Sequence, residues 1–287
     1  MTPAIWTSMR LVPLSDCLRA LVADGWKSFE VSTEHLKEID DAAGPATKID
    51  QTNRLLEELG ATMPQAHAML RADVASPDED RRAGDLATLR RHLEYCKALG
   101  VRNVVMHPGI GGGYTAERQR RQIIALNVAN IRPLADQAGE AGMRIALENM
   151  EWMAAESGGG ARRFGYSAQE LVELVAAIDH PAVGIAIDTS HANIQRYEPL
   201  GVAETIRVFG RLICATHISD NDGTRDGHRI PGHGNIDWLA VMSAFRDIGY
   251  DGLFNLEIPG DKHSVPELLS LKSQHARRVA EWLVSLA

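Results

Sequence analysis

Six residues able to bind a metal ion or carry a proton recur along the chain at near-constant intervals: His67, His107, Glu148, Asp188, His217 and Glu257. The gaps between them are 40, 41, 40, 29 and 40 residues. Each closes a short run of the kind found in a core strand, as in RNVVMH at 102–107, MRIALE at 143–148 and VGIAID at 183–188. Taken singly, each has a bland account. A lone histidine there is commonly a hydrogen-bonded core or surface residue, and a lone acid commonly caps the next helix. Gathered at one place, six such groups would be costly to desolvate without a shared charge to satisfy them. A divalent cation supplies that charge. The mixture of imidazole and carboxylate suits Mn, Zn, Co or Fe, keeps Mg among the candidates, and argues against Ca.

The elements that would gather them follow from periodicity. Candidate strands lie near 4–8, 28–32, 62–67, 102–107, 143–148, 183–188, 212–217 and 253–257. Amphipathic stretches separate them, such as 85–99, where Leu86, Leu89, Leu93 and Cys96 share one helical face. Thr115 is the expected N-cap of a long helix over 115–139, and Gly60, Gly100, Gly142 and Gly249 stand where helix C-terminal caps belong. Eight strand–helix units in succession, with no long Pro- or Ser-rich linker, predict a (β/α)₈ TIM barrel forming a single domain over 1–287. In such a barrel the C-terminal strand ends ring one mouth, where the six residues would converge.

The loop after the seventh strand, HISDNDGTRDGHRIPGHGNIDW at 217–238, adds a D-x-H pair, Asp226 and His228, flanked by Arg225 and Arg229. At least two of Asp220, Asn221 and Asp222 read as a plain turn, and Asn235 or Asp237 as the cap of the following helix. His191 stands one step outward from Asp188. Arg229, Trp6 and Glu30 are the candidate substrate contacts, Trp6 by stacking on a sugar face and Glu30 by bonding a hydroxyl. Trp152 is placed near the mouth by the same reasoning. Arg162 and Arg163 could bind a substrate carboxylate or phosphate, though exposed salt bridging is the commoner role. The Gly-rich stretch HPGIGGGY at 107–114 could cradle a phosphate, but such stretches are more often merely flexible, and it carries no nucleotide-binding signature.

A net charge of −8 disfavours a general attraction to nucleic acid or anionic membrane. No apolar stretch approaches the ~20 residues that cross a bilayer, and the first residues do not read as an export signal. Cys17, Cys96 and Cys214 are widely spaced and odd in number, which fits a reducing cytoplasm better than a disulfide framework.

The motifs ALEN at 146–149, IDTSH at 187–191, the strand-seven loop and NLEI at 255–258 resemble, in order, those of the xylose isomerase-like TIM-barrel superfamily. The resemblance is strongest to its sugar phosphate isomerase/epimerase group. It implies one divalent metal held by Glu148, Asp188, His217 and Glu257, with Glu148 and Glu257 also the acid/base pair and His191 contacting substrate. His67, His107, Asp226 and His228 remain as additional metal or substrate contacts. A related branch, the endonuclease IV type of repair enzyme, holds three zinc ions with nine ligands. A residue matching each is present in His67, His107, Glu148, Asp188, His191, His217, Asp226, His228 and Glu257, so up to three ions are accommodated. The acidic balance and the short span between His217 and Asp226 rank that reading lower. The leading expectation is a metal-dependent isomerase or epimerase of a small sugar or keto-sugar. A lyase or dehydratase of the same chemistry comes second, phosphodiester hydrolysis third and a non-catalytic binding role last. The expected partner is a small carbohydrate, with neither nucleic acid nor membrane; homo-oligomers are common in the group and remain open here.

Overall fold

A computed structural model describes residues 1–151, 161–194, 200–261 and 264–287. Its eight strands are β1 Thr2–Trp6, β2 Ser28–Val31, β3 Thr62–His67, β4 Asn103–Met106, β5 Arg144–Glu148, β6 Val183–Asp188, β7 Ile213–His217 and β8 Leu253–Leu256. All paired neighbours are parallel, in the order β7-β6-β5-β4-β3-β2-β1-β8. The ring closes where Ile218 N–H donates to Asn255 O (2.8 Å) and Glu257 N–H to Ile218 O (3.1 Å), just beyond β7 and β8. The expected barrel is therefore observed. β1 begins and ends two residues earlier than expected, while His107 and Glu257 stand one residue past their strands.

The helices are α1 Leu14–Ala23, α2 Thr33–Asp40, α3 Pro45–Leu59, α4 Glu79–Ala98, α5 Glu117–Glu140, α6 Ala168–Ile178, α7 Thr189–Asn193, α8 Val202–Phe209, α9 Trp238–Ile248 and α10 Pro266–Val284. Local chemistry sets several boundaries. Pro45 and Pro266 open their helices at the first turn, where no N–H is needed. Gly60 and Gly249 close α3 and α9 in left-handed conformations (φ 57° and 68°) that a side chain would oppose. Asp237 caps α9 through Ala240 N–H, as expected (3.1 Å). Two expectations need correction. α4 starts at Glu79 rather than 85, because Asp78 accepts from Arg81 N–H (3.0 Å) and adds an exposed turn with no apolar signal. Thr115 is not the cap of α5: Ala116 holds that position, and the Gln119 side chain accepts the N–H groups of both residues.

Strand side chains alternate faces, which separates two cores. The outward residues pack with the helices into one large cluster, including Ile145, Leu147, Ile185 and Ile187. Inside the barrel a small cluster contains Val105, Ala146, Ala186, Cys214 and Ala215. Stepping two residues along each strand from Val105, Ala146, Ala186 and Ala215 reaches His107, Glu148, Asp188 and His217. Three successive strands thus place an alanine directly beneath a polar group, leaving the large polar side chains room at one end. Among the described residues no helix is long and apolar enough to cross a membrane.

Candidate metal centre

Three groups of potential ligands meet at the mouth: His67, His107 and Glu148; Glu148, Asp188, His217 and Glu257; and Asp188, His191 and His228. Within each group, one atom per residue lies within 4.8 Å of the others. All six strand-end residues singled out by their spacing belong to these groups. Glu148 joins the first to the second, and Asp188 the second to the third.

The backbone fixes which imidazole nitrogen faces the centre. Nδ1 of His67, His191 and His228 each lies 2.8 Å from a carbonyl oxygen, of Ala68, Asn149 and Glu257 respectively. A carbonyl only accepts, so Nδ1 carries a proton and Nε2 is the nitrogen turned toward the centre. His217 is turned the other way. Its Nε2 meets both oxygens of Glu30 (2.9 and 3.1 Å), while Nδ1 approaches Glu148 (3.1 Å) and Glu257 (3.3 Å). A carboxylate holding the far N–H is the usual support of a metal-binding histidine.

Glu30 therefore does not stand where a substrate hydroxyl would reach it. It is fully buried, and Gln65, Asn255 and His217 surround its carboxylate. Trp6 does reach the mouth: its indole N–H donates to Ile258 O (2.9 Å) and its ring stacks on His228. The Arg229 guanidinium is engaged within its own loop by Asp222 Oδ2 (2.7 Å) and His233 O (3.3 Å). Asp226 touches His228 Nε2 (2.7 Å) and lies 3.5 Å from His191 Nε2. Trp152 lies outside the described residues.

Several participants carry no spacing signal. Asn149 clamps Asp188 by accepting its N–H (2.8 Å) and donating to its carbonyl (3.0 Å), while its own carbonyl orients His191. Its only mark was its place next to Glu148 in ALEN. Glu151 approaches His191 Nε2 at 3.5 Å and pairs with Arg163. Asp220 is not part of a plain turn: fully buried, it accepts from Asn221, Gly232 and Ile236 N–H and from the Trp238 indole. Those bonds fold the loop so that Asp226 and His228 face the mouth.

Electrostatics follow from crowding buried groups of both signs. Burial pushes Glu257 up to about 8, against the pull of His217 and His228. Burial likewise raises Asp188, despite His191 and His228. Burial opposes ionisation of Glu148, yet His217, His107 and His67 together hold it well below the usual carboxylate range. Burial would lower His191 and His217, but Asp188 for the first and Glu257 and Glu30 for the second hold them well above the usual imidazole value.

The donor set fits a divalent cation on a specific observation. Asp188 Oδ2 and Glu257 Oε2 are buried with no hydrogen-bond partner among the described residues. Two orphaned carboxylate oxygens within one four-residue group are the expected face of a metal site and would be expensive otherwise.

Against known proteins, the chain matches the model of the xylose isomerase-like TIM barrel over residues 18–286. It is 30% identical over 187 residues to the uncharacterized protein MJ1311 of Methanocaldococcus jannaschii, covering 64% of this chain and 59% of that protein. A probable endonuclease 4 of Acholeplasma laidlawii is 24% identical over 221 residues, covering 70% of this chain and 71% of its own. The first two curated relatives are spanned over 59% and 63% of their lengths. Among solved structures, D-psicose 3-epimerase from Clostridium cellulolyticum H10 superposes with a TM-score of 0.79 at 19% identity, covering 99% of both chains. At that identity the likeness speaks for the fold. The chain belongs to the xylose isomerase-like TIM barrel family.

Proposed function

We propose that this protein is a divalent-metal-dependent isomerase or epimerase of a small sugar or keto-sugar, moving a proton at a carbon next to a carbonyl. The observation that carries the proposal is the placement of two glutamates. Glu148 ends β5 and Glu257 follows β8, so they arrive from different sectors of the ring, yet both approach Nδ1 of His217 (3.1 and 3.3 Å). Glu148, Asp188, His217 and Glu257 would hold the cation, which when bound polarises a carbonyl and acidifies the neighbouring C–H. One glutamate removes the proton and the other returns it from the opposite face. His191, with Nε2 presented to the mouth, contacts a substrate hydroxyl, and Trp6 offers an apolar face beside it. The D-psicose 3-epimerase fold match is consistent with this chemistry. The proposed substrate is a small carbohydrate rather than nucleic acid, in keeping with the net charge of −8.

A second reading, metal-assisted phosphodiester hydrolysis, draws on the presence of three ligand groups rather than one. Two measurements separate the readings. Solvent deuterium entering a carbon-bound position of ketoses or keto-glycosides supports proton transfer. No exchange in any of them, together with three zinc ions per purified chain, would overturn it in favour of hydrolysis.

A further inference from the structure

The strands that deliver Glu148, Asp188 and His217 to the mouth begin at the other end of the barrel with Arg144, Val183 and Ile213, and Gly184 follows Val183. By the two-residue alternation, Arg144 shares the inward face of β5 with Ala146 and Glu148, about 13 Å below the glutamate. Its guanidinium lies over Gly184. A Cβ at that glycine would stand 2.7 Å from Arg144 Nη2, from Cys214 Sγ and from Leu212 O. The absence of a side chain there is what leaves room for the cation.

The Arg144 side chain has no ion pair or hydrogen bond among the described residues, and its Nε is buried without a partner. It lines a cavity of about 480 Å³ together with Asn103, Arg211, Cys214, Tyr250 and Asp251. That volume falls within the range of small-molecule sites. A guanidinium stays protonated, so a half-buried one with no counter-charge is costly. Its planar fork matches the paired oxygens of a carboxylate or phosphate. Arg211 adds a second positive charge at the rim; the one acid in the lining, Asp251, is solvent-exposed and does not reach Arg144. The Cys214 thiol, pushed up to about 11 by burial, is neutral and adds no opposing charge.

We propose that the barrel end opposite the mouth binds a small oxyanion, the phosphate or carboxylate group of a metabolite, with Arg144 as its principal contact and Arg211 at its rim. The site is independent of the reaction at the mouth and does not rest on its assignment.

The test is titration calorimetry on the full chain with inorganic phosphate and, separately, malonate, against chloride at matched ionic strength. The parent protein is expected to bind at least one of the two, and Arg144→Gln to bind it ~10-fold or more weakly, as loss of a charge-assisted fork implies. Arg211→Gln should weaken binding by a smaller factor. Preference for phosphate or for malonate identifies the oxyanion. An anion held at the mouth would bind parent and Arg144→Gln alike, and that result overturns the proposal, as does no binding above the chloride control. Should Arg144→Gln fail to fold, Arg144→Lys keeps the charge without the fork. An intermediate loss then supports the proposal, and parity with the parent overturns it.

Discussion

The two ends of the barrel are built from the same strands and differ in how their polar groups are satisfied. At the mouth, carboxylates and imidazoles face one another, and Asp188 Oδ2 and Glu257 Oε2 are still left over. At the opposite end a buried polar group can be closed by a single bond, as where the Trp26 indole N–H meets Ser273. The difference separates function from stability. On the proposed reading, groups at the mouth are arranged for something yet to bind, and they tax the fold until it does. Groups at the far end serve the fold directly, with the Arg144 cavity as the exception.

The comparison breaks most readily at the glutamates. Glu257→Gln keeps an oxygen for the cation but cannot accept a proton, so carbon-bound deuterium exchange should fall ~10²–10⁴-fold at saturating metal. Glu148→Gln should do the same, with one-sided exchange as a further outcome. Mass-spectrometric deuterium uptake reads both. Exchange that survives Glu257→Gln at full cation occupancy would clear Glu257 of the role and pass it to His191.

Glu30→Gln should act less strongly and through a different quantity. The amide retains a hydrogen-bonding oxygen for His217 Nε2–H but loses the charge that makes the imidazole a better donor. Losses of this kind commonly amount to ~10–100-fold in metal affinity or activity. Competition with a chelator measures the affinity; an unchanged value would mean that Glu30 only fills space beneath the ring.

Most of this architecture was legible because the barrel imposes a rule on the sequence. Strand ends recur once per βα unit, so site residues separated by about 40 positions still fall into register. Residue type alone would not have sufficed. His35 and His92 are buried as deeply as the mouth histidines, yet both lie on helices and face no ligand group. His35 is satisfied by Thr7, Ser32 and Val12, whereas His92 is pushed down to about 4 by burial. What escaped the sequence was the supporting layer. Glu30 lies next to the end of its strand, much as the candidate ligands do, and only the geometry shows its carboxylate turned beneath His217 rather than into the mouth. Asp220 looked like a turn residue because its partners, Gly232, Ile236 and Trp238, lie 12 to 18 positions away and follow no period. Arg229 looked available because nothing local marks Asp222 as its partner across the loop.

A third prediction turns the tax at the mouth into a measurement. In cation-free protein Glu257 is a buried carboxyl whose Oε2 accepts no hydrogen bond among the described residues, set near Glu148 and Asp188 and 3.3 Å from His217 Nδ1. Replacing it with glutamine removes one acid from that crowd and adds two donors for its neighbours. Stability of the cation-free form should therefore rise, by about 2 kcal/mol, even as activity is lost. Chemical denaturation in the presence of chelator is the check. The stabilisation gained on adding metal should shrink correspondingly. A Glu257→Gln variant less stable than its parent without metal would mean that the carboxyl is satisfied in solution by groups such as ordered water, and that the mouth imposes no strain.

The smallest effect belongs to the other end. Trp26 precedes β2 and is 1% exposed; its indole N–H donates to Ser273 Oγ on α10 at 3.0 Å, and Ser273 is fully buried. The bond ties the last helix to the start of the barrel, far from any ligand group. Ser273→Ala leaves the indole N–H buried without an acceptor while changing little volume. The cost is then the desolvation of one donor, about 1–2 kcal/mol, rather than a cavity. Deuterium exchange and metal affinity should match the parent, because no mouth residue touches either partner. Ser273→Thr, which keeps the hydroxyl, should recover part of the loss unless the extra methyl overpacks the contact. Equal stability of Ser273→Ala and parent would show that the indole finds another acceptor. A fall in metal affinity would show instead that the two ends are coupled through the barrel wall, contrary to the separation drawn between them.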